Sequence, residues 1–155
     1  MIWFQYKILY NILPTKKYLY NLKIADSDLC NLYNAKTETI LHLLTECSIS
    51  NTLWENMRQW VSNKTHIQID LSKIAKVFGY LIQDQNFVPI NFILLMTRKY
   101  IFWCSQKKKN PELDALKKEI KNVYHEQLYI SKLNFSDETF NKKWNIWNNW
   151  KNIFD

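Results

Sequence analysis

The stretch Asn110 to Leu128, NPELDALKKEIKNVYHEQL, decides the architecture. Asn110 followed by Pro111 is the signature of a helix start, because proline lacks an amide donor that the first turn would leave unpaired anyway. Beyond it Leu113, Leu116, Ile120, Val123, Tyr124 and Leu128 recur at three- and four-residue intervals, one apolar face of a helix several turns long. Lys117, Lys118 and Lys121 fall on its polar side.

The neighbouring segments read the same way. Residues 88–106 are apolar nearly all round, which predicts a helix buried on several sides. Upstream, Leu53, Trp54, Met57, Trp60 and Val61 form a second stripe, with Ser48 or Ser50 as its cap. A short helix over 71–78 stops at Gly79, and the last one starts near Ser136 and carries Phe140, Trp144 and Trp147. At the other end, residues 1–13 are apolar and aromatic until Pro14, and Thr15 opens a short helix with Tyr18, Leu19 and Leu22. Thr37 begins a capping-like stretch, after which Ile40, Leu41, Leu44 and Cys47 share a helical face. Only Ile67 and Ile69 hint at a strand.

One glycine in 155 residues leaves too few tight turns for a sandwich or barrel, and no phosphate-cradling glycine loop. The expected fold is all-α, a compact bundle of about seven helices with a small irregular, knuckle-like segment between residues 26 and 47. Residues 1–62 form a knuckle-like helical region and residues 63–155 a basic helical region packed as one unit with it.

The net charge is +7, and it is uneven: residues 1–62 carry six basic and five acidic side chains, residues 63–155 fifteen and nine. Such an excess suits a polyanion. The densest run, Arg98, Lys99, Lys107, Lys108, Lys109, Lys117, Lys118 and Lys121, meets only three acidic residues and is the candidate nucleic-acid-binding set, acting through backbone phosphates. The same run also fits a solvated lysine-rich surface or a nuclear localisation patch. Of the seven tryptophans, Trp54, Trp60, Trp103, Trp144 and Trp147 lie on apolar stripes and are expected in the core, while Trp150 is freer to stack on a base.

No enzyme is expected. His42, His66 and His125 are far apart, no serine or cysteine stands in a nucleophile context, and the acidic residues are scattered. Three cysteines and no signal-like leader point to a reducing intracellular location, nucleus or cytoplasm. The apolar run Val88–Met96 is too short to span a bilayer, so no membrane is expected.

Cys30, His42 and Cys47 are spaced C-x11-H-x4-C. A zinc knuckle draws ligands from a turn and from a helix; here the position three after Cys30 is Tyr33, a poor ligand. Two readings stand on spacing: an incomplete zinc site, its fourth place filled by water or a side chain such as His66, or buried cysteines around a core histidine with no cofactor.

A resemblance runs through these residues. Ile12-Leu13-Pro14-Thr15-Lys16-Lys17-Tyr18-Leu19, Leu29-Cys30-Asn31-Leu32-Tyr33, Thr37-Glu38-Thr39-Ile40-Leu41-His42-Leu43-Leu44, Glu46-Cys47 and Trp54 together resemble the zinc-binding region of reverse transcriptases. The second cysteine is the one landmark missing. Val77-Phe78-Gly79-Tyr80-Leu81, the Ile90–Trp103 helix, the Lys107–Pro111 break, the helix to Leu133 and Phe140–Trp144 are similar to the segments beyond that region in LINE-type retrotransposon proteins. The resemblance implies a module beyond the polymerase, associated with template RNA during target-primed reverse transcription. It implies zinc as cofactor and a parent polymerase domain as partner. The alternative is a degenerate or domesticated remnant with a structural or protein-interaction role, and residues 1–13 are a possible homodimer surface.

Overall fold

A computed structural model describes residues 2–80, 87–133 and 137–144. Seven α-helices occur among them: α1 (Ile2–Leu9), α2 (Lys16–Asn21), α3 (Ser48–Thr65), α4 (Lys73–Phe78), α5 (Phe87–Lys107), α6 (Leu113–Leu133) and α7 (Asp137–Trp144). A wide π turn, His42–Glu46, precedes α3. The described residues hold no strand, so the Ile67–Ile69 expectation fails: these residues form an irregular link in which the Ile67 carbonyl accepts from Ser62 Oγ at 3.0 Å. One isolated antiparallel bridge, Leu29 to Thr37, closes the knuckle loop. The all-α expectation stands.

The α3 stripe forms as its spacing predicts, with Leu53, Trp54, Met57, Trp60 and Val61 all buried. α5 is the central helix, running beside α6, α4, α7 and the π turn. It buries Ile90, Ile93, Leu94 and Ile101 completely. By length and composition α5 is apolar enough to cross a membrane, because the helix continues well past Met96, where the apolar run read from sequence stops. Over half of its most apolar window, 56%, is buried within the protein, which is the situation of a core helix. A single apolar cluster joins Ile8, Leu13, Cys30 and Trp54 to Ile93, Ile101, Leu116 and Ile120. α7 closes the far end: Trp144 meets Phe92 edge-on at 4.9 Å, and its indole donates to Gln127 at 3.0 Å.

Helix ends explain much of the rest. Ser72 accepts from the Ala75 amide at 3.2 Å and opens α4; Gly79, at φ 82, stops it. An added Cβ at Gly79 would lie 2.5 Å from Asn91 Oδ1. That oxygen is committed to the Tyr80 amide at 2.7 Å, while Asn91 Nδ2 donates back to the Tyr80 carbonyl at 2.9 Å. α1, α2 and α5 each end on a left-handed residue, Asn11, Lys23 and Lys108. After α5, the Lys109 amide reaches the Cys104 carbonyl at 3.0 Å and the Lys108 amide the Ser105 carbonyl at 3.0 Å, a Schellman closure.

Several side chains depart from expectation. Leu41 is 49% exposed, one residue out of phase with buried Ile40, and α2 buries none of its residues. The cap of the π turn is Thr39, whose hydroxyl accepts from the His42 amide at 2.9 Å, rather than Thr37, which bonds Asp28 at 2.9 Å. Trp54, Trp60 and Trp144 are buried, but Trp103 is 47% exposed. Trp147 and Trp150 lie outside the described residues.

Candidate metal centre and basic surface

The knuckle is built from two short pieces of chain. Asp28–Cys30 runs antiparallel to Lys36–Glu38, with the Cys30 amide donating to the Lys36 carbonyl and the Glu38 amide to the Asp28 carbonyl, both at 2.8 Å. Between them the chain turns, the Asn34 amide returning to the Cys30 carbonyl at 2.7 Å. The Leu32 and Tyr33 amides point at the Cys30 sulfur. Amides aimed at a sulfur in this way favour a thiolate, so the turn keeps the shape of a metal-binding knuckle although Tyr33 itself faces outward, 45% exposed.

The second half comes from the π turn. On an α-helical path residues five apart lie about 140° apart around the axis, so His42 and Cys47 would face different ways. The wider turn, closed by the Cys47 amide on the His42 carbonyl at 2.8 Å, brings both to one side. The Trp54 indole donates to the Leu44 carbonyl at 2.9 Å and holds the turn onto α3.

The ligand atoms of Cys30, His42 and Cys47 lie within 4.8 Å of one another, and all three residues are buried. Among the described residues this is the one group of three or more histidine, cysteine, aspartate or glutamate side chains placed to share an ion. The Cys47 thiol is pushed down to about 5, chiefly because the Cys30 thiol donates to its sulfur and further because the Ser50 and Ile49 amides point at it; burial opposes this. The Cys30 thiol is pushed up by the same contact and by burial. Both ring nitrogens of His42 are buried without a protein hydrogen-bond partner. A buried imidazole costs free energy unless its nitrogens are satisfied. A bound cation would satisfy one of them.

Soft sulfur and imidazole donors suit zinc, which needs ligand atoms roughly 3.6 Å apart at tetrahedral bond lengths. The three residues fit that requirement with a small contraction. The fourth position has no protein ligand among the described residues. His66 is excluded as that ligand: it follows the C-terminal end of α3 while Cys47 caps the other end, about 28 Å away along the axis.

Glu38 is a feature that sequence reasoning missed. Its carboxylate is fully buried and accepts from the Lys16 amide at 3.0 Å, the Asn31 amide at 3.0 Å and the Ser105 hydroxyl at 2.6 Å. Asn31 Nδ2 also donates to the Ser105 carbonyl at 3.0 Å. The residue beside Cys30 is thereby tied to the C-terminal end of α5.

The basic residues do not form one face. Arg98 is only 3% exposed, since it stands in phase with fully buried Leu94 and Ile101. Its Nη1 donates to the Lys76 carbonyl at 3.3 Å, and burial pushes its pKa down to about 10. It is therefore removed from the phosphate-contacting set. Lys107, Lys108 and Lys109 are exposed where α5 ends. Gln106, just before them, donates to the Pro14 carbonyl at 3.3 Å, so the lysine turn adjoins the knuckle region. Lys117 pairs with Asp114 at 3.0 Å and lies over the Trp60 ring at 5.8 Å, on the α3 side of α6. Lys99 borders the other flank, in a cavity of about 220 Å³ with Met96, Tyr100, Trp103 and Glu119. Lys118 is exposed and Lys121 half-buried along α6.

Residues 1–54 match the family model described as zinc-binding in reverse transcriptase. The knuckle and its Cys30, His42 and Cys47 set lie within the matched residues, which are similar to a retrotransposon reverse-transcriptase-related region. No curated protein and no solved structure matches the chain.

Proposed function

We propose that the chain is a non-catalytic module that holds RNA or DNA by its phosphates, of the kind found beyond the polymerase in LINE-type retrotransposon proteins. The observation that supports it most is the exposed Lys107–Lys109 turn, held against the knuckle region by the Asn31–Ser105 and Gln106–Pro14 hydrogen bonds. Three adjacent ammonium groups on an anchored turn release counterions when they meet phosphates, which gives affinity without base selectivity. Lys99 on α5 and Lys117, Lys118 and Lys121 on α6 add positive charge on separate flanks of the two helices.

Zinc on Cys30, His42 and Cys47 would supply a structural cross-link between the knuckle turn and the start of α3. The reading places the protein inside the cell, in nucleus or cytoplasm, beside a parent polymerase domain.

The test is binding of a labelled single-stranded RNA across a salt series. Replacing Lys107, Lys108 and Lys109 together with glutamine reduces the slope of log affinity on log salt by about 2, at roughly 0.7 per phosphate contact. A slope left unchanged, or no salt-sensitive binding by the native chain, rejects the proposal.

A second reading is favoured by α1 and the loops beside it. Trp3, Leu9, Tyr10 and Ile24 are 75%, 57%, 64% and 69% exposed, an apolar surface of the kind that marks a protein contact. A remnant that kept the fold and served only as an interaction module, or a homodimer through residues 1–13, would use this face. Light scattering across a concentration series tests self-association.

A further inference from the structure

The exposure of Trp103 breaks the pattern of the other described core tryptophans, and its surroundings are organised. Lys99, Trp103 and Lys107 succeed one another at four-residue intervals along α5, a single stripe rising about 6 Å per step. Both lysines are exposed. Trp103 lies nearly parallel to Tyr100, at 16° with ring centroids 6.1 Å apart, and almost half of it remains open to solvent. Tyr100 is itself fixed, its hydroxyl accepting from the Glu112 amide at 3.3 Å. Beside the stack lies the 220 Å³ cavity, floored by Met96 and walled by Glu119 from α6.

We propose that Trp103 is a stacking platform for one unpaired nucleobase, with Lys99 and Lys107 holding the phosphates on either side of it. The proposal rests on the nucleic-acid reading above and deepens it, from phosphate binding in general to single strands in particular. A base in a duplex already has both faces stacked, so only an unpaired base can lie on the indole. The charges set the orientation. Glu119 carries acceptors only, which suit the N–H edge of a base and repel phosphate. The base therefore enters the cavity, and the backbone stays outside over the lysine stripe. Lys99 and Lys107 lie about 12 Å apart along the axis, the reach of a few nucleotides of extended strand. Tyr100 beneath the indole keeps the platform rigid, which lowers the ordering cost of binding.

The test compares the native chain with Trp103→Leu and Trp103→Phe on three probes of equal length. These are a mixed-sequence single-stranded RNA, the same sequence as a blunt duplex, and a deoxyribose-phosphate strand without bases. Circular dichroism melts establish that both variants fold. The expected result is a loss of about tenfold or more on single-stranded RNA for Trp103→Leu, as for other base–aromatic stacks, with Trp103→Phe retaining most of the affinity. Duplex and base-free strand bind all three proteins alike. An unchanged affinity of Trp103→Leu for single-stranded RNA overturns the platform and leaves the phosphate reading intact, as does an equal loss on all three probes. A native chain that binds none of the probes overturns both readings.

Discussion

The Ser105 hydroxyl donates to Glu38 Oε2 at 2.6 Å, across 67 residues of chain, in a site from which both side chains exclude water. The bond joins the last turns of α5 to the strand of chain that carries the knuckle. Glu38 is also the acceptor for two backbone amides, Lys16 and Asn31. Glu38→Ala removes the acceptor of one buried and two partly buried donors, and the expected cost is about 3 kcal/mol. Ser105→Ala removes one charge-assisted bond at a cost of about 1–2 kcal/mol. In a double-mutant cycle by urea denaturation the two changes are strongly non-additive. Additive losses would show that the bond carries no coupling.

Gly79 stands at φ 82 and ψ −166, backbone that side chains rarely tolerate. The Cβ of an alanine there would also press on Asn91 Oδ1, which the Tyr80 amide already uses. Gly79→Ala is expected to destabilise by about 2–3 kcal/mol, from strain of this class together with the displaced hydrogen bond. A denaturation midpoint equal to the native one would contradict this account.

Lys108 separates fold from binding. As the left-handed residue closing α5 it is strained, and Lys108→Gly relieves that strain for a gain of about 0.5 kcal/mol. The same change removes one of three lysines from the exposed turn. The variant should melt slightly higher than the native chain and bind RNA slightly more weakly, with a shallower salt slope. A melt that falls instead removes the strain argument.

Tyr33 offers a gain-of-function test of the knuckle. Its amide already points at the Cys30 sulfur, and its side chain is exposed, so Tyr33→Cys perturbs no core. A turn still shaped for metal then completes a four-ligand set, and zinc affinity should rise at least tenfold in competition with a chromophoric chelator. Equal affinities would mean that the turn no longer presents position 33 to the ion.

Arg98 makes the opposite prediction from the exposed lysines. A buried guanidinium whose Nε lacks a protein partner is a costly occupant of a core. Arg98→Met should leave RNA binding and its salt slope untouched while holding or raising the melting temperature. Weakened binding would return Arg98 to the phosphate-contacting set.

Where regular helical phase decides burial, the sequence is easily read. The α3 stripe, the stop at Gly79 and the all-round apolar character of α5 emerge directly from residue spacing. The same rule applied more strictly separates two of the residues misplaced from sequence. Arg98 keeps step with Leu94 and Ile101, whereas Trp103 keeps step with Lys99 and Lys107. Residue type had suggested the reverse. Other features have no local signal. The Glu38 site draws its donors from three separated stretches, and the wide turn at His42–Glu46 departs from the helical period on which such reading depends.

That wide turn makes the metal set a matter of backbone pitch. His42 and Cys47 meet because the chain between them runs wide; with the same five-residue spacing on an ordinary α-helical path they would stand about 140° apart. A substitution that tightens the turn would therefore part the two ligands although every ligand-type residue survives. A comparison of ligand identities alone would pass such a copy as intact.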